Sequence, residues 1–346
     1  MAHEFKNVII FGGSGFIGSF LSRKLYRDFN VNNIFIYDLV DPTLTCSKFR
    51  NSLFTNIPCV KYINGDVRDK IKNIPELEFD LVINLAAIHR EPGHRKDEYY
   101  ETNIKGAENI TAWCEEKEIK NLIFTSSISP YGVSEDIKNE SSIPMPVTPY
   151  GSSKLVAEKI HQCWHARKSK DRKLIIVRPG VVYGPGENGN VTRLIKAVKK
   201  NYFIYTGNKE TRKAGIYVKE LCASIFWVYQ NYDSISVAQD PILFNGCSET
   251  APSVHEYILG ICSTLGKKKF FLTLPYSLLL ISSYFITAIA NLFKINHPFS
   301  PMRIKKLVRS NFIEPKVLKD FQYKFNFSLE DSLKDWKQEN SEEWGS

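Results

Sequence analysis

Residues 8 to 18, VIIFGGSGFIG, place four glycines (12, 13, 15 and 18) between a purely apolar run and a helix-like stretch. Gly13, Gly15 and Gly18 satisfy G-x-G-x-x-G, and Gly12, Gly15 and Gly18 satisfy the related G-x-x-G-x-x-G. In a strand, tight turn and helix, such glycines let the backbone approach a pyrophosphate seated on the helix N-terminus. A glycine triplet is weak evidence until its surroundings agree. Here the next apolar run, NIFIYD, ends in Asp38, 20 residues after Gly18, where a carboxylate can bind adenine ribose hydroxyls. A carboxylate there repels a 2′-phosphate, and no Arg or Lys directly follows it, so the site reads as one for NAD rather than NADP.

Apolar runs continue at 33–38, 60–64, 80–87, 121–127 and 173–179, with helical stretches near 16–28, 97–118 and 150–168. Strands that are apolar throughout belong to a parallel sheet covered on both faces. The expected fold is α/β: a Rossmann-like, doubly wound parallel sheet over residues 1–180, with some later segments returning to it, and a smaller C-terminal substrate lobe over 181–346. That lobe is expected to hold helices near 191–201 and 217–231, a strand at PILFNG and a helix from about Ser253.

At 346 residues and 43% hydrophobic, the chain can bury such a core. Cysteines 46, 59, 114, 163, 222, 247 and 262 are odd in number and lack C-x-x-C spacing, so neither a disulfide framework nor a metal site is indicated. Reduced thiols suit the cytoplasm, and MAHEFKNVII lacks the basic-then-apolar pattern of a signal peptide. The formal charge of +9 admits nucleic acid, anionic lipid or phosphorylated small molecules, but no basic block or finger pattern selects nucleic acid. From Phe270 to Phe293 there is no Asp, Glu, Lys or Arg. The length nearly spans a bilayer, but Pro275 and several Ser, Thr and Asn residues interrupt it. A buried helix of the substrate lobe is expected there, with interfacial membrane contact as the alternative.

TPYGSSK, residues 148 to 154, sets Tyr150 and Lys154 four apart on one helical face. Alone, the pair reads equally well as a solvated surface contact. A phenol titrates near ~10, and an ammonium one turn away stabilises its anion, which makes Tyr150 a candidate general base. With GGSGFIG, GDVRD (65–69), NLAA (84–87), TSSISPYG (125–132), YGSSK (150–154) and VRPGVVYGPG (177–186) in this order, the chain resembles the extended short-chain dehydrogenase/reductases. Within them it is similar to the NAD-dependent nucleotide-sugar epimerases and dehydratases, over roughly residues 5–230.

The resemblance implies that Tyr150 is the acid/base, that Lys154 binds the nicotinamide ribose and lowers the tyrosine pKa, and that Ser127 hydrogen-bonds the reacting hydroxyl. It further implies a cofactor set of Gly12, Gly15, Phe16, Ile17 and Gly18 at the phosphates and Asp38 at the ribose. Asp66 and Val67 lie at the adenine; Leu85, Ala86, Ala87, Asn103 and Pro179 line the rest, with Tyr150 and Lys154. Arg212 matches an arginine for the substrate diphosphate, a solvated arginine being the alternative. Asn190 is read as a substrate contact or a helix cap, and His89 and Arg90 as sugar contacts or an ordinary polar loop. A homodimer through the helices near 97–118 and 150–168 is also implied.

Dehydrating relatives carry an Asp-Glu pair after the catalytic Ser or Thr, and decarboxylating relatives a Glu; this chain has Ile128 and Ser129. Relatives that epimerise at C3 and C5 carry Cys where Ser129 stands. The remaining chemistry needs only Ser, Tyr, Lys and NAD: epimerisation at C4 of a UDP-hexose or UDP-N-acetylhexosamine, or reduction of a 4-keto sugar. Val181, where UDP-galactose 4-epimerases carry Asn, and the run RPGVVYGPGENGNVTRLIKAV bring the chain closer to the O-antigen branch. A sterol- or lipid-type dehydrogenase and a non-catalytic NAD sensor are the readings from other classes.

Overall fold

The computed structural model describes residues 5–90, 93–133, 135–267, 270–293 and 310–345. Its strands are β1 (Asn7–Phe11), β2 (Asn33–Asp38), β3 (Val60–Asn64), β4 (Leu81–Asn84), β5 (Asn121–Thr125), β6 (Lys173–Pro179), β7 (Val181–Tyr183), β8 (Tyr205–Thr206), β9 (Gly215–Tyr217), β10 (Ile242–Gly246) and β11 (Thr273–Leu274). The helices are α1 (Phe16–Asp28), α2 (Lys48–Thr55), α3 (Lys96–Glu116), α4 (Pro149–Ala166), α5 (Asn190–Lys199), α6 (Val218–Gln230), α7 (Tyr232–Ser236), α8 (Val254–Leu265), α9 (Tyr276–Leu292), α10 (Lys316–Asp320), α11 (Leu329–Glu339) and α12 (Ser341–Trp344).

Among the described residues, seven strands form a parallel sheet in the order β10-β6-β5-β4-β1-β2-β3. The chain runs outward from β1 in both directions, so the order reverses between β1 and β4 and opens a crevice at their carboxyl ends. Val8, Ile9, Ile10 and Phe11 are all fully buried. Successive side chains point to opposite faces: Val8 and Ile10 pack with Leu21, Leu25 and Ile36 on one side, Ile9 and Phe11 with Val82, Trp113 and Ala157 on the other. Burial on both faces is why this strand shows no polar alternation. β10 pairs with β6, Ile242 beside Ile175, so a segment from the C-terminal half completes the sheet.

β4 and β5 are shorter than the apolar runs at 80–87 and 121–127. After Asn84 the chain turns away, its side-chain oxygen accepting from Ala86 N at 3.1 Å, and Leu85 N donates back to Phe11 O at 2.8 Å. The extra residues form the lip of the crevice instead of more sheet.

The buried helix expected over 270–293 is not buried. α9 exposes Leu278, Ile281, Phe285 and Leu292, while Leu279, Ser283 and Ala290 face the protein. A charge-free run says that its surroundings are apolar, not that they are this protein's own interior. Among the described residues no helix is long and apolar enough to cross a membrane.

A Cβ on Gly18 would lie 2.1 Å from Gly13 O, whereas one on Gly15 would meet Gly12 O at 3.3 Å. Gly18→Ala is therefore expected to lower stability by about 1–3 kcal/mol, and Gly15→Ala by less. Thermal unfolding of both variants without cofactor checks the order.

Candidate active site

The glycine loop runs against the end of β4 with nothing between them. Gly12 has φ +72°, and a Cβ there would stand 2.6 Å from both N and Cα of Ala86, so only glycine fits the conformation and the space. Gly15 caps α1 without any side-chain hydrogen bond, and no acid lies in the first turn. The first N–H groups of α1, from Phe16 onward, are thus left for an anion. Asp38 ends β2 beside this turn, accepting from Ser14 N at 3.0 Å and Val40 N at 3.3 Å. Burial raises its carboxyl above the usual range against those hydrogen bonds, and oxygen lone pairs remain for ribose hydroxyls. Asp66 is held by Arg68, its Oδ2 2.6 Å from Nη2, which lowers its pKa. Val67 is buried, its carbonyl accepting from Asn109 at 2.8 Å. Cradle, open helix end and terminal carboxylate fit a dinucleotide.

Across the crevice, α4 starts from Thr148, whose Oγ1 accepts from Gly151 N at 3.1 Å, with Pro149 in the first turn. That start sets Tyr150 and Lys154 one turn apart. Ser127 follows β5, donating from Oγ to Ser129 Oγ at 3.1 Å and accepting from Ser129 N at 3.1 Å. Ile128 N donates to Pro179 O at 3.1 Å, and a Cβ on Gly151 would lie 2.7 Å from Ser129 O. The serine loop is therefore wedged between Pro179 and the first turn of α4. Lys154 is 2% exposed, its Nζ 4.5 Å from the ring centroid of Phe124. Burial pulls its pKa down to about 7, opposed by the charge of Glu158.

Asn103 sits behind this group, not at its open side. Its amide donates to Ile88 O at 3.1 Å and Ser153 Oγ at 2.9 Å, while its oxygen accepts from Ile88 N at 2.9 Å. Both amide protons are engaged, so Asn103 fastens the lip after β4 to α4. Tyr99, on the same helix as Asn103, has its ring 6.3 Å from that of Tyr150 and donates its hydroxyl to Arg90 O. This brings the loop of His89 and Arg90 toward Tyr150. Although solvent reaches both, loss of solvation and then the charges of Arg90 and Lys154 hold the His89 imidazole below its ordinary value.

Two expected substrate residues each have protein partners of their own. The carboxylate of Glu187 accepts from Val191 N at 3.3 Å and Thr192 N at 2.9 Å, so Glu187 caps α5 rather than Asn190. Asn190 accepts from the Arg193 guanidinium. Arg212 donates to Ala251 O at 2.7 Å and lies 3.8 Å from Glu256, with 44% of its side chain exposed. The chain links it to the crevice: Ala214, two residues on, has its carbonyl where a Cβ on Gly180 would be 2.7 Å away, next to Pro179.

Residues 8–241 match the NAD dependent epimerase/dehydratase family. The chain belongs to that family. It is 28% identical, over 94% of its length and 98% of the relative's, to the N-acetyl-alpha-D-glucosaminyl-diphospho-ditrans,octacis-undecaprenol 4-epimerase of Escherichia coli O157:H7. A match of 24% identity over 98% of this chain and 100% of the relative is to a decarboxylating sterol-4-alpha-carboxylate 3-dehydrogenase of Candida albicans. Among solved structures, a UDP-N-acetylglucosamine 4-epimerase from Methanobrevibacter ruminantium M1, in complex with UDP-N-acetylmuramic acid, superposes with a TM-score of 0.72 at 21% identity, covering 98% and 99% of the two chains. That likeness establishes the shared fold. The cofactor of this epimerase/dehydratase family member is NAD.

Beneath α4 of this family member lies a network that sequence reasoning missed. Glu158 and Arg178, 1% and 3% exposed, pair through Nε at 2.8 Å and Nη2 at 2.6 Å. Ser126 also donates to Glu158, at 2.5 Å. The Arg178 guanidinium lies 4.6 Å over the Tyr131 ring, and Tyr131 donates to Asn245 on β10 at 2.9 Å. The available signal was Arg178 itself, because a charge inside an otherwise apolar strand requires a partner.

Lys154 has a pKa of about 7 in the folded chain, against about 10.4 when unfolded. Between these values the unfolded chain binds a proton that the folded chain lacks, so stability rises with pH through that window, by at most about 1.4 kcal/mol per unit. Without cofactor, urea unfolding between the two values should show this slope in the wild type and its loss in Lys154→Met. Equal slopes would show that the ammonium is not desolvated.

Proposed function

We propose that the protein inverts the configuration at C4 of a hexose or N-acetylhexosamine carried on a nucleotide diphosphate, through a transient 4-keto sugar. The observation that carries this reading is the composition of the serine loop: beside Ser127 stand a buried Ile128 and a Ser129 hydrogen-bonded to Ser127 itself. No carboxylic acid follows Ser127 there to drive elimination of water. NAD, when bound, supplies the acceptor and later donor of a hydride. Tyr150 takes the proton of the C4 hydroxyl and returns it to the opposite epimer. Ser127 turns its Oγ proton from Ser129 to the sugar oxygen. Lys154 holds the nicotinamide ribose and favours the Tyr150 phenolate whenever it is charged. Asp38 receives the adenine ribose, and Asp66, Val67, Leu85, Ala86, Ala87 and Pro179 enclose the rest. Arg212 and Asn190 are assigned to the diphosphate end of the substrate, and His89 and Arg90 to the sugar end, within the lobe after residue 180 and the lip after β4.

A second reading concerns the carrier. The E. coli relative, matched over nearly its whole length, is named for a sugar diphosphate joined to undecaprenol rather than to a nucleotide. The C4 chemistry is the same in both. We also take α3 and α4 to pair with their copies in a homodimer, supported by Tyr100 and Val156, each about two-fifths exposed at 40% and 41%. A cytoplasmic setting is supported by seven free thiols.

Tyr150→Phe should lower turnover by about 10²–10⁴-fold and leave NAD affinity, followed by fluorescence titration, unchanged. Wild-type turnover in that variant would remove Tyr150 from the chemistry. Incubated with a panel of nucleotide sugars and trace NAD, the protein should form a C4 epimer by NMR without net reduced cofactor. Strict consumption of reduced cofactor on a 4-keto sugar, and no epimer from any saturated sugar, would make it a 4-ketoreductase instead.

A further inference from the structure

α9 turns one apolar stripe outward. Leu278, Ile281, Phe285 and Leu292 are 55, 68, 69 and 78% exposed and follow each other by three, four and seven residues, the spacing of a single helix face. The opposite face, with Leu279, Ser283 and Ala290 buried, seats the helix on the protein. Phe270 and Leu272, 90 and 64% exposed, extend the apolar surface along the segment leading into α9. Three of the helix's hydroxyls bond to its own backbone: Ser282 donates to Leu278 O at 2.6 Å, Ser283 to Leu280 O at 2.7 Å and Thr287 to Ser283 O at 2.7 Å. A hydroxyl bonded in this way can face hydrocarbon without an unsatisfied donor.

The charge of the chain is concentrated around this stripe in sequence. From Tyr257 to Ile313 there are eight Lys and Arg residues and no Asp or Glu, while the rest of the chain carries 38 basic and 37 acidic residues. Nearly all of the formal +9 therefore belongs to the segment that contains α9. With 17 residues α9 is about 25 Å long, short of a hydrocarbon core of about 30 Å, and one face is already packed on protein. A second copy of the chain would carry the same excess of positive charge in this segment, whereas an anionic surface complements it.

We propose that α9 and the Phe270–Leu274 segment lie on the surface of a bilayer containing anionic lipid. The stripe enters the acyl boundary, and the positive charge that the sequence concentrates in this segment favours anionic headgroups. This goes beyond the C4 reaction and does not depend on it.

The test is flotation of the full-length protein with vesicles of phosphatidylcholine, with or without phosphatidylglycerol. The wild type should float with the anionic vesicles and be released by salt. Ile281→Glu combined with Phe285→Glu should weaken flotation about tenfold or more, with unchanged melting temperature, unchanged mass by light scattering and unchanged turnover of a soluble nucleotide sugar. Ile281→Trp should keep the binding and shift its tryptophan emission to the blue on vesicles. No wild-type flotation at low salt, equal flotation of the double variant, or an emission of the Ile281→Trp variant indifferent to vesicles would overturn the proposal. So would a double variant that loses a dimer while flotation is absent throughout, which would assign the stripe to a second copy. Because vesicle binding is read without turnover, its failure leaves the epimerase reading standing, and failure of the NMR assay leaves the docking reading standing.

Discussion

The ion pair between Glu158 and Arg178 fixes α4 to the sheet. Taking two charges out of water costs several kcal/mol per ion before their attraction and hydrogen bonds offset it, so such a pair is weak evidence of net stability. Its geometry does something else. Bidentate contact from a β6 guanidinium to an α4 carboxylate sets the rotation and height of α4, and Ser126 adds β5 to the same carboxylate. Tyr150 and Lys154 are on that helix, and Ser127 is the residue after Ser126. Through Tyr131 and Asn245 the same guanidinium reaches β10, whose N–H at Asn245 donates to Glu140 at 2.8 Å. Helix, serine loop and sheet edge are thus registered from one buried charge pair.

That pair also acts on Lys154. Burial strips the ammonium of water and lowers its pKa, while the Glu158 carboxylate one turn further on raises it. Without Glu158 nearby, desolvation alone would favour the neutral amine still more. The lysine is held where a modest added interaction, such as ribose hydroxyls or a phenolate, is enough to restore its charge.

Much of this was legible in the sequence, for reasons that differ by element. β1, β2 and β6 match their apolar runs because strands buried along nearly their whole length leave few polar positions to confuse their limits, and the edge strand β3 matches its run although Lys61 and Asn64 are exposed. The glycine loop was legible because Gly12 and Gly18 each stand where a Cβ would meet backbone, a constraint that only one residue type satisfies. The end of β4 was not, since Leu85, Ala86 and Ala87 on the lip are as apolar as the residues in the sheet. Asn190 looked like a cap because of its position, but a helix end takes whichever acceptor the fold brings, and that was Glu187. Asn103 looked like a cofactor contact, yet an amide can bind the scaffold with the same donors it would offer a ligand. α9 was misread because hydropathy reports preference for an apolar phase and cannot say which phase.

Stable folds bury apolar groups and leave charges in water, and where a chain departs from that rule the departure tends to be functional. This one departs in two opposite ways. On α4 and β6 it buries Lys154, Glu158 and Arg178, of which the last two satisfy each other. At α9 it leaves an apolar stripe in contact with water beside a segment without acids. Neither arrangement is favourable for the chain by itself, so each points to something outside it. For the first, the function proposed above supplies a dinucleotide whose ribose meets the buried amine. For the second, the proposed bilayer surface is at once apolar and anionic.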